Sequence, residues 1–134
     1  MTAKITKTSI DLGIVTMNPD AIVRFYKDVV GLPQEGEMAM PGGGKMIRLL
    51  AGESVIKIVT PAAAPAATAA PGGIGGANGY RYWTITVSNL NEVAERCAAA
   101  GHKLAIKPRE IRPGVAIAMV EDPDGNWVEF LQIG

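Results

Sequence analysis

"EDPDGNWVEFLQ", residues 121–132, is the stretch on which the reading of this chain turns. Asp122-Pro123-Asp124-Gly125 has the composition of a tight turn, with proline presetting φ and Asp and Gly suited to the other positions. The residues that follow place Trp127, Glu129 and Leu131 on one face of a strand and Val128 and Phe130 on the other. A glutamate in mid-strand, between a tryptophan and a leucine, is out of place on a simple core face. It is a metal ligand, a base, or the residue that happens to close an edge strand. The apolar run "VAIAMVE", residues 115–121, supplies the other arm of the hairpin.

Upstream of the hairpin, "YWTITVSNLNEVAERCAAAGHKL" (82–104) reads as a strand, a helix and a glycine stop at Gly101. Asn89-x-x-Glu92 has the spacing of a capping box. The same order occurs earlier, in "IDLGIVTMNPDAIVRFYKDVVGL" (10–32). There Asn18 is placed to cap, Pro19 suits the first helical position, and Asp20 suits the positive end of a helix. Ile22, Phe25, Tyr26 and Val29 recur at helical spacing, and Gly31 ends the helix. "KMIRLLAGESVIKIV" (45–59) is a second hairpin, turning at residues 51–53. A further strand is expected before each hairpin, near 35–39 and near 103–107. The chain therefore reads as two copies of β-α-β-β-β, an α+β architecture. Registering Asn18 on Asn89 aligns Asp11 with Tyr82, and registering the last strands aligns Lys57 with Glu129.

The 134 residues suit one domain. Module one covers 1–60 and module two 80–134. Between them, "PAAAPAATAAPGGIGGANG" (61–79) is Ala, Pro and Gly, which reads as a flexible connector. Lys plus Arg and Asp plus Glu are equal at 13 each, so no basic face argues for nucleic acid or an anionic membrane. No run approaches a membrane span or a signal peptide, and a single cysteine excludes an internal disulfide and fits a reducing compartment. A soluble cytoplasmic protein is expected.

"GIVTMNPDAIVRFYKDVVGLP" and "VEDPDGNWVEF", together with the repeat, resemble the vicinal oxygen chelate superfamily. Its members include glyoxalase I, bleomycin-resistance proteins, extradiol dioxygenases and methylmalonyl-CoA epimerase. The resemblance implies paired βαβββ modules forming a curved mixed sheet whose cup holds the active site, usually in a homodimer. It also implies four equivalent ligand positions, on the first and last strand of each module. In this chain these are Asp11, Lys57, Tyr82 and Glu129. Only Glu129 matches the usual His, Gln or Glu. A protonated lysine binds no metal, tyrosine is a rare ligand, and the one histidine, His102, lies past a helix in a turn expected to be exposed. Two-histidine iron chemistry and a zinc or nickel glyoxalase are therefore not expected, and no cofactor is.

These four residues suit a different chemistry. Lys57 supplies a fixed positive charge able to hold an enolate oxygen, a carboxylate near Trp127 can act as base, and Tyr82 can donate to developing charge. That is the layout for proton abstraction next to a carbonyl. The favoured reading is a metal-independent isomerase or lyase acting on a small, mainly apolar metabolite. Arg48 and Trp127 are candidates for substrate binding. The plain alternative is an ion pair between Lys57 and Glu129 in a site that has lost its metal. A non-catalytic binding protein of the bleomycin-resistance type is the other reading, weakened by an aromatic content of only 5%. A metal enzyme using Asp11 and Glu129 is the third. Trp83 is expected to pack against a helix and Cys97 to be core. Met38, Met40 and Met46 either line a pocket or fill core. "GGGK" lacks the spacing of a phosphate-binding loop.

Overall fold

The computed structural model describes all residues, 1–134. Strand β1 (Asp11–Val15) leads into helix α1 (Pro19–Val23), which widens into a π-helical stretch, Arg24–Val30. Strands β2 (Gln34–Ala39), β3 (Lys45–Ala51) and β4 (Ser54–Thr60) complete module one. Module two repeats the order with β5 (Tyr82–Thr86), α2 (Leu90–Ala99), β6 (Leu104–Arg112), β7 (Val115–Glu121) and β8 (Trp127–Ile133). Each module is one four-stranded mixed sheet, in the orders β1-β4-β3-β2 and β5-β8-β7-β6. The first strand of each pairs in parallel with the last. Gly13 stands opposite Lys57 in one sheet, and Thr84 opposite Glu129 in the other. The repeat drawn from the sequence is thus exact at the two positions where Lys57 and Glu129 correspond.

Alternation sorts each strand. Val128 and Phe130 of β8, Ala118 and Val120 of β7, Leu49 of β3, and Ile56 and Ile58 of β4 turn toward the helices. They join Ile22, Phe25, Tyr26, Leu90, Val93 and Cys97 in one cluster of 16 buried residues drawn from both modules. Trp127, Glu129 and Leu131 take the opposite face, each half-buried, as the alternation of β8 requires. Phe25 and Tyr26, three and four residues after Ile22, both reach this core from the π-helical stretch.

Several local expectations are corrected. Neither Asn18 nor Asn89 caps its helix with its side chain. The Asn18 amide N–H donates instead to Thr16 Oγ1, and the first N–H of α2, on Leu90, is taken by Gln132 Oε1 across the sheet. Asn89 Nδ2 reaches Glu92 at 3.2 Å, so the two side chains of the expected capping box bond each other. His102 is half-buried, with its ring edge-on to Phe25 at 4.5 Å between centroids, because the chain leaving α2 folds back onto the π-helical turn. Strand β6 runs five residues beyond its expected end, with register shifts along it. No helix is long and apolar enough to cross a membrane.

Candidate functional site

On module one, Lys57 Nζ lies 3.2 Å from Asp11 Oδ2, while Lys7 Nζ lies 2.7 Å from Asp11 Oδ1. The Lys7 ammonium first, and Lys57 second, hold the Asp11 carboxyl below the usual carboxylate range. A carboxylate so stabilised is a weak base. Arg48 stands directly opposite Lys57 across β3 and β4 and donates Nε to Glu35 at 3.0 Å. Like charges facing each other across strands repel. Asp11 and Glu35 offset that repulsion, and two cations remain side by side on one sheet face.

Module two carries the other candidates. Glu129 Oε1 accepts a 2.7 Å hydrogen bond from Thr84 Oγ1, its neighbour across β5 and β8. Tyr82 stands opposite Trp127 on the same face and is half-exposed. Lys57 and Glu129 are not paired: each has a partner on its own sheet. This overturns the expectation of a structural ion pair between them, because residues at equivalent repeat positions lie on separate sheets.

The halves meet along the seam between β1 and β5, the two edge strands. A cavity of about 150 Å³ there is lined by Gly13 from one side and by Tyr82, Trp83 and Trp127 from the other. A further cavity of about 330 Å³ continues the seam from Ile10 and Leu12 to Thr84. A cavity of about 600 Å³ lies elsewhere, between residues 15–18, the connector and Asp124, and none of the four candidate residues lines it. Of the candidates, the structure brings Asp11, Lys57 and Arg48 together on one sheet and Tyr82, Trp127 and Glu129 on the other.

The family-implied metal does not fit these residues. Nowhere do three His, Cys, Asp or Glu side chains converge. Asp11 is bound by two ammonium groups and Glu129 by a hydroxyl. Met38 is half-exposed on β2 beside Met46 of β3, so neither fills the core. Trp83 packs at 5.7 Å against Tyr26 of the π-helical turn, and Cys97 is fully buried, with its thiol pushed up to about 11 by burial.

Sequence reasoning passed over two features. Thr84 was findable, since the repeat sets it opposite Glu129. The other is the turn itself. Asp122, 4% exposed, accepts from Tyr26 Oη at 2.7 Å, from Asn126 Nδ2 and from the backbone N–H of Asp124 and Asn126. Thr16 Oγ1 donates to Asp124 at 2.5 Å. The turn therefore bolts module two onto the helix and first strand of module one. Burial raises the Asp122 pKa by more than the bonds from Asn126 and Tyr26 lower it, and burial raises that of Tyr26 well above its ordinary value.

Two βαβββ modules, each a four-stranded mixed sheet, sharing one buried core, define a glyoxalase-like fold. The chain belongs to the Glyoxalase/Bleomycin resistance protein/Dioxygenase superfamily, which matches residues 8–130. Among curated proteins none matches it. Similar solved structures include a glyoxalase family protein from Bacillus cereus, 19% identical, covering 98% of this chain and 96% of that one with a TM-score of 0.79. A glyoxalase family protein from Enterococcus faecalis is 22% identical, with 96% of each chain covered and a TM-score of 0.65. A glyoxylase/bleomycin resistance protein/dioxygenase domain from Frankia is 15% identical, covering 98% and 94%, with a TM-score of 0.74. At these identities the likeness carries the fold.

Proposed function

We propose that this chain is a metal-independent isomerase or lyase that removes a proton next to a carbonyl of a small, mainly apolar metabolite. The observation that supports it best is the pair of cations, Lys57 and Arg48, directly opposite each other on the module-one face. Such a pair provides fixed positive charge for a developing enolate oxygen, the task a metal performs in metal-dependent relatives. Glu129 is the base. Unlike Asp11, which two ammonium groups hold, it has a neutral hydroxyl as its side-chain partner. Tyr82 donates to developing charge, and Trp127 forms the apolar wall beside it. Substrate enters along the β1–β5 seam, and the working unit is a homodimer.

The test is hydrogen–deuterium exchange at carbon, read by NMR, for a panel of small ketones, oxo acids and their thioesters in D₂O. Exchange of at least one compound with wild type, unaffected by EDTA and lost in Glu129→Gln, is expected. Binding without exchange across the panel would favour a sequestering protein of the bleomycin-resistance kind. Exchange abolished by EDTA would overturn the metal-free reading.

A further inference from the structure

The end of the connector forms a single 3-10 turn, Gly73–Gly75, that lies against the Trp127 indole. A β-carbon at Gly73 would stand 2.0 Å from Trp127 Cδ2, so the backbone itself is in contact with the ring and only glycine fits. One side chain holds this turn in place. Arg81 donates Nε to Gly73 O at 2.7 Å and Nη2 to Ala70 O at 2.6 Å and Pro71 O at 3.5 Å. The turn's own bonds, Gly75 N to Gly72 O and Gly76 N to Gly73 O, are internal, so it can move as a unit. On the same indole, Trp127 Nε1 is buried without a hydrogen-bond partner. Buried donors are nearly always satisfied, and one that is not marks a place where an acceptor is missing. Trp83 Nε1 is also unpartnered, but it belongs to the core beside Tyr26.

We propose that residues 70–76 are a lid latched by Arg81, and that the indole surface it covers is a stacking site for a flat, carbonyl-bearing ligand. In the closed lid the Gly73 Cα lies against the six-membered ring of the indole, so the covered surface is an apolar π-face that suits a flat ring. A flat conjugated ketone or acid offers a larger ring for the indole face, and its oxygen, where it overhangs the ring edge into the indole plane, is the acceptor that Trp127 Nε1 lacks. Trp127 stands opposite Tyr82 and on the face of Glu129, so a ligand stacked there reaches the proposed base. Only that last consequence rests on the proposed function; lid and stacking site stand on the contacts of Gly73, Arg81 and Trp127.

The chain has two tryptophans, so its indole N–H region in a ¹H–¹⁵N spectrum contains two peaks, assigned with Trp83→Phe. Gly73→Ala forces the turn off the ring, and Arg81→Gln removes the latch. Either variant, with its backbone spectrum still dispersed, should speed solvent exchange of the Trp127 indole N–H at least about tenfold. Acetophenone is the probe, and methyl cyclohexyl ketone the comparator that keeps the carbonyl and loses the flat ring. Acetophenone should shift the Trp127 peak in the opened variants at least about threefold more tightly than in wild type, since a closed lid taxes binding by its closed fraction. The comparator should bind at least about threefold more weakly than acetophenone. Unchanged indole exchange in both variants overturns the lid. An opened indole whose peak acetophenone does not move overturns the stacking site. Neither outcome depends on turnover, so loss or retention of activity in Glu129→Gln is a separate result.

Discussion

Tyr26→Phe removes one hydroxyl, and the structure sets its cost. Asp122 has four donors on its two oxygens, and Tyr26 is the only one from the other module. Two of the others are backbone N–H groups of an exposed turn, and the third is the amide of half-buried Asn126. A hydrogen bond to a charged group contributes about 1.5–3 kcal/mol. The variant leaves Asp122 three donors, so the lower half applies, about 1.5–2 kcal/mol. Asp122→Ala should cost more, about 3–4 kcal/mol, because it also strands the fully buried Tyr26 hydroxyl. The double variant strands neither, so the two costs should fall short of additivity by about 1–2 kcal/mol. For a chain of this length 1 kcal/mol corresponds to about 3–5 °C in melting temperature. Tyr26→Phe should therefore melt about 5–10 °C lower. Urea and thermal unfolding of the four proteins at neutral pH measure the cycle. A Tyr26→Phe loss below about 0.5 kcal/mol, or strict additivity, would refute the role assigned to the bond.

Because burial raises the Asp122 pKa, the folded state holds that proton more tightly than the unfolded chain. Stability from this group is present below the ordinary carboxylate pKa and falls as pH rises through the folded value; pH-dependent urea melts should lose that slope in Asp122→Asn. Asp11 has the opposite sign, losing its contribution as pH falls through its lowered value, but it is exposed and the effect should be small and salt-sensitive. Glu129→Gln should reduce any turnover by a factor on the order of 10²–10⁴ while leaving the melting temperature unchanged. Lys57→Met should also reduce turnover, and because its ion pair with Asp11 is solvent-accessible, unfolding curves should stay close to those of wild type. Cys97, buried with a thiol raised to about 11, should react with a thiol reagent only as fast as the fold opens.

The repeat was legible because each module announces itself three times: a helix with its glycine stop, a hairpin turn and a two-residue alternation. Alternation around Glu129 was enough to place Trp127 and Leu131 with it and Val128 and Phe130 in the core. Helix capping was not legible. Asn18 and Asn89 have the right chemistry, but the first N–H of α2 goes to Gln132, 42 positions away, and Asn18 spends its own N–H on the neighbouring Thr16 hydroxyl. The Lys57–Glu129 pairing failed for a related reason: equivalence in a repeat fixes position within a module and says nothing about distance between modules. Asp122 was visible as a turn residue, yet its contact with Tyr26 spans 96 positions, and nothing local signals it.

The bolts between the modules also bear on how the chain unfolds. Tyr26 to Asp122 and Thr16 to Asp124 join them at the turn, and Arg96 of α2 donates to the carbonyls of Asp28 and Val29 at the end of the π-helical turn. Each helix packs on its own sheet, and the two helical segments also pack on each other, so one buried cluster runs through both modules. The repeat is therefore not two beads on a string. Loss of one half should carry the other with it in a single cooperative transition. Duplication in the sequence and independence in folding are separate properties, and here the shared core couples what the repeat divides.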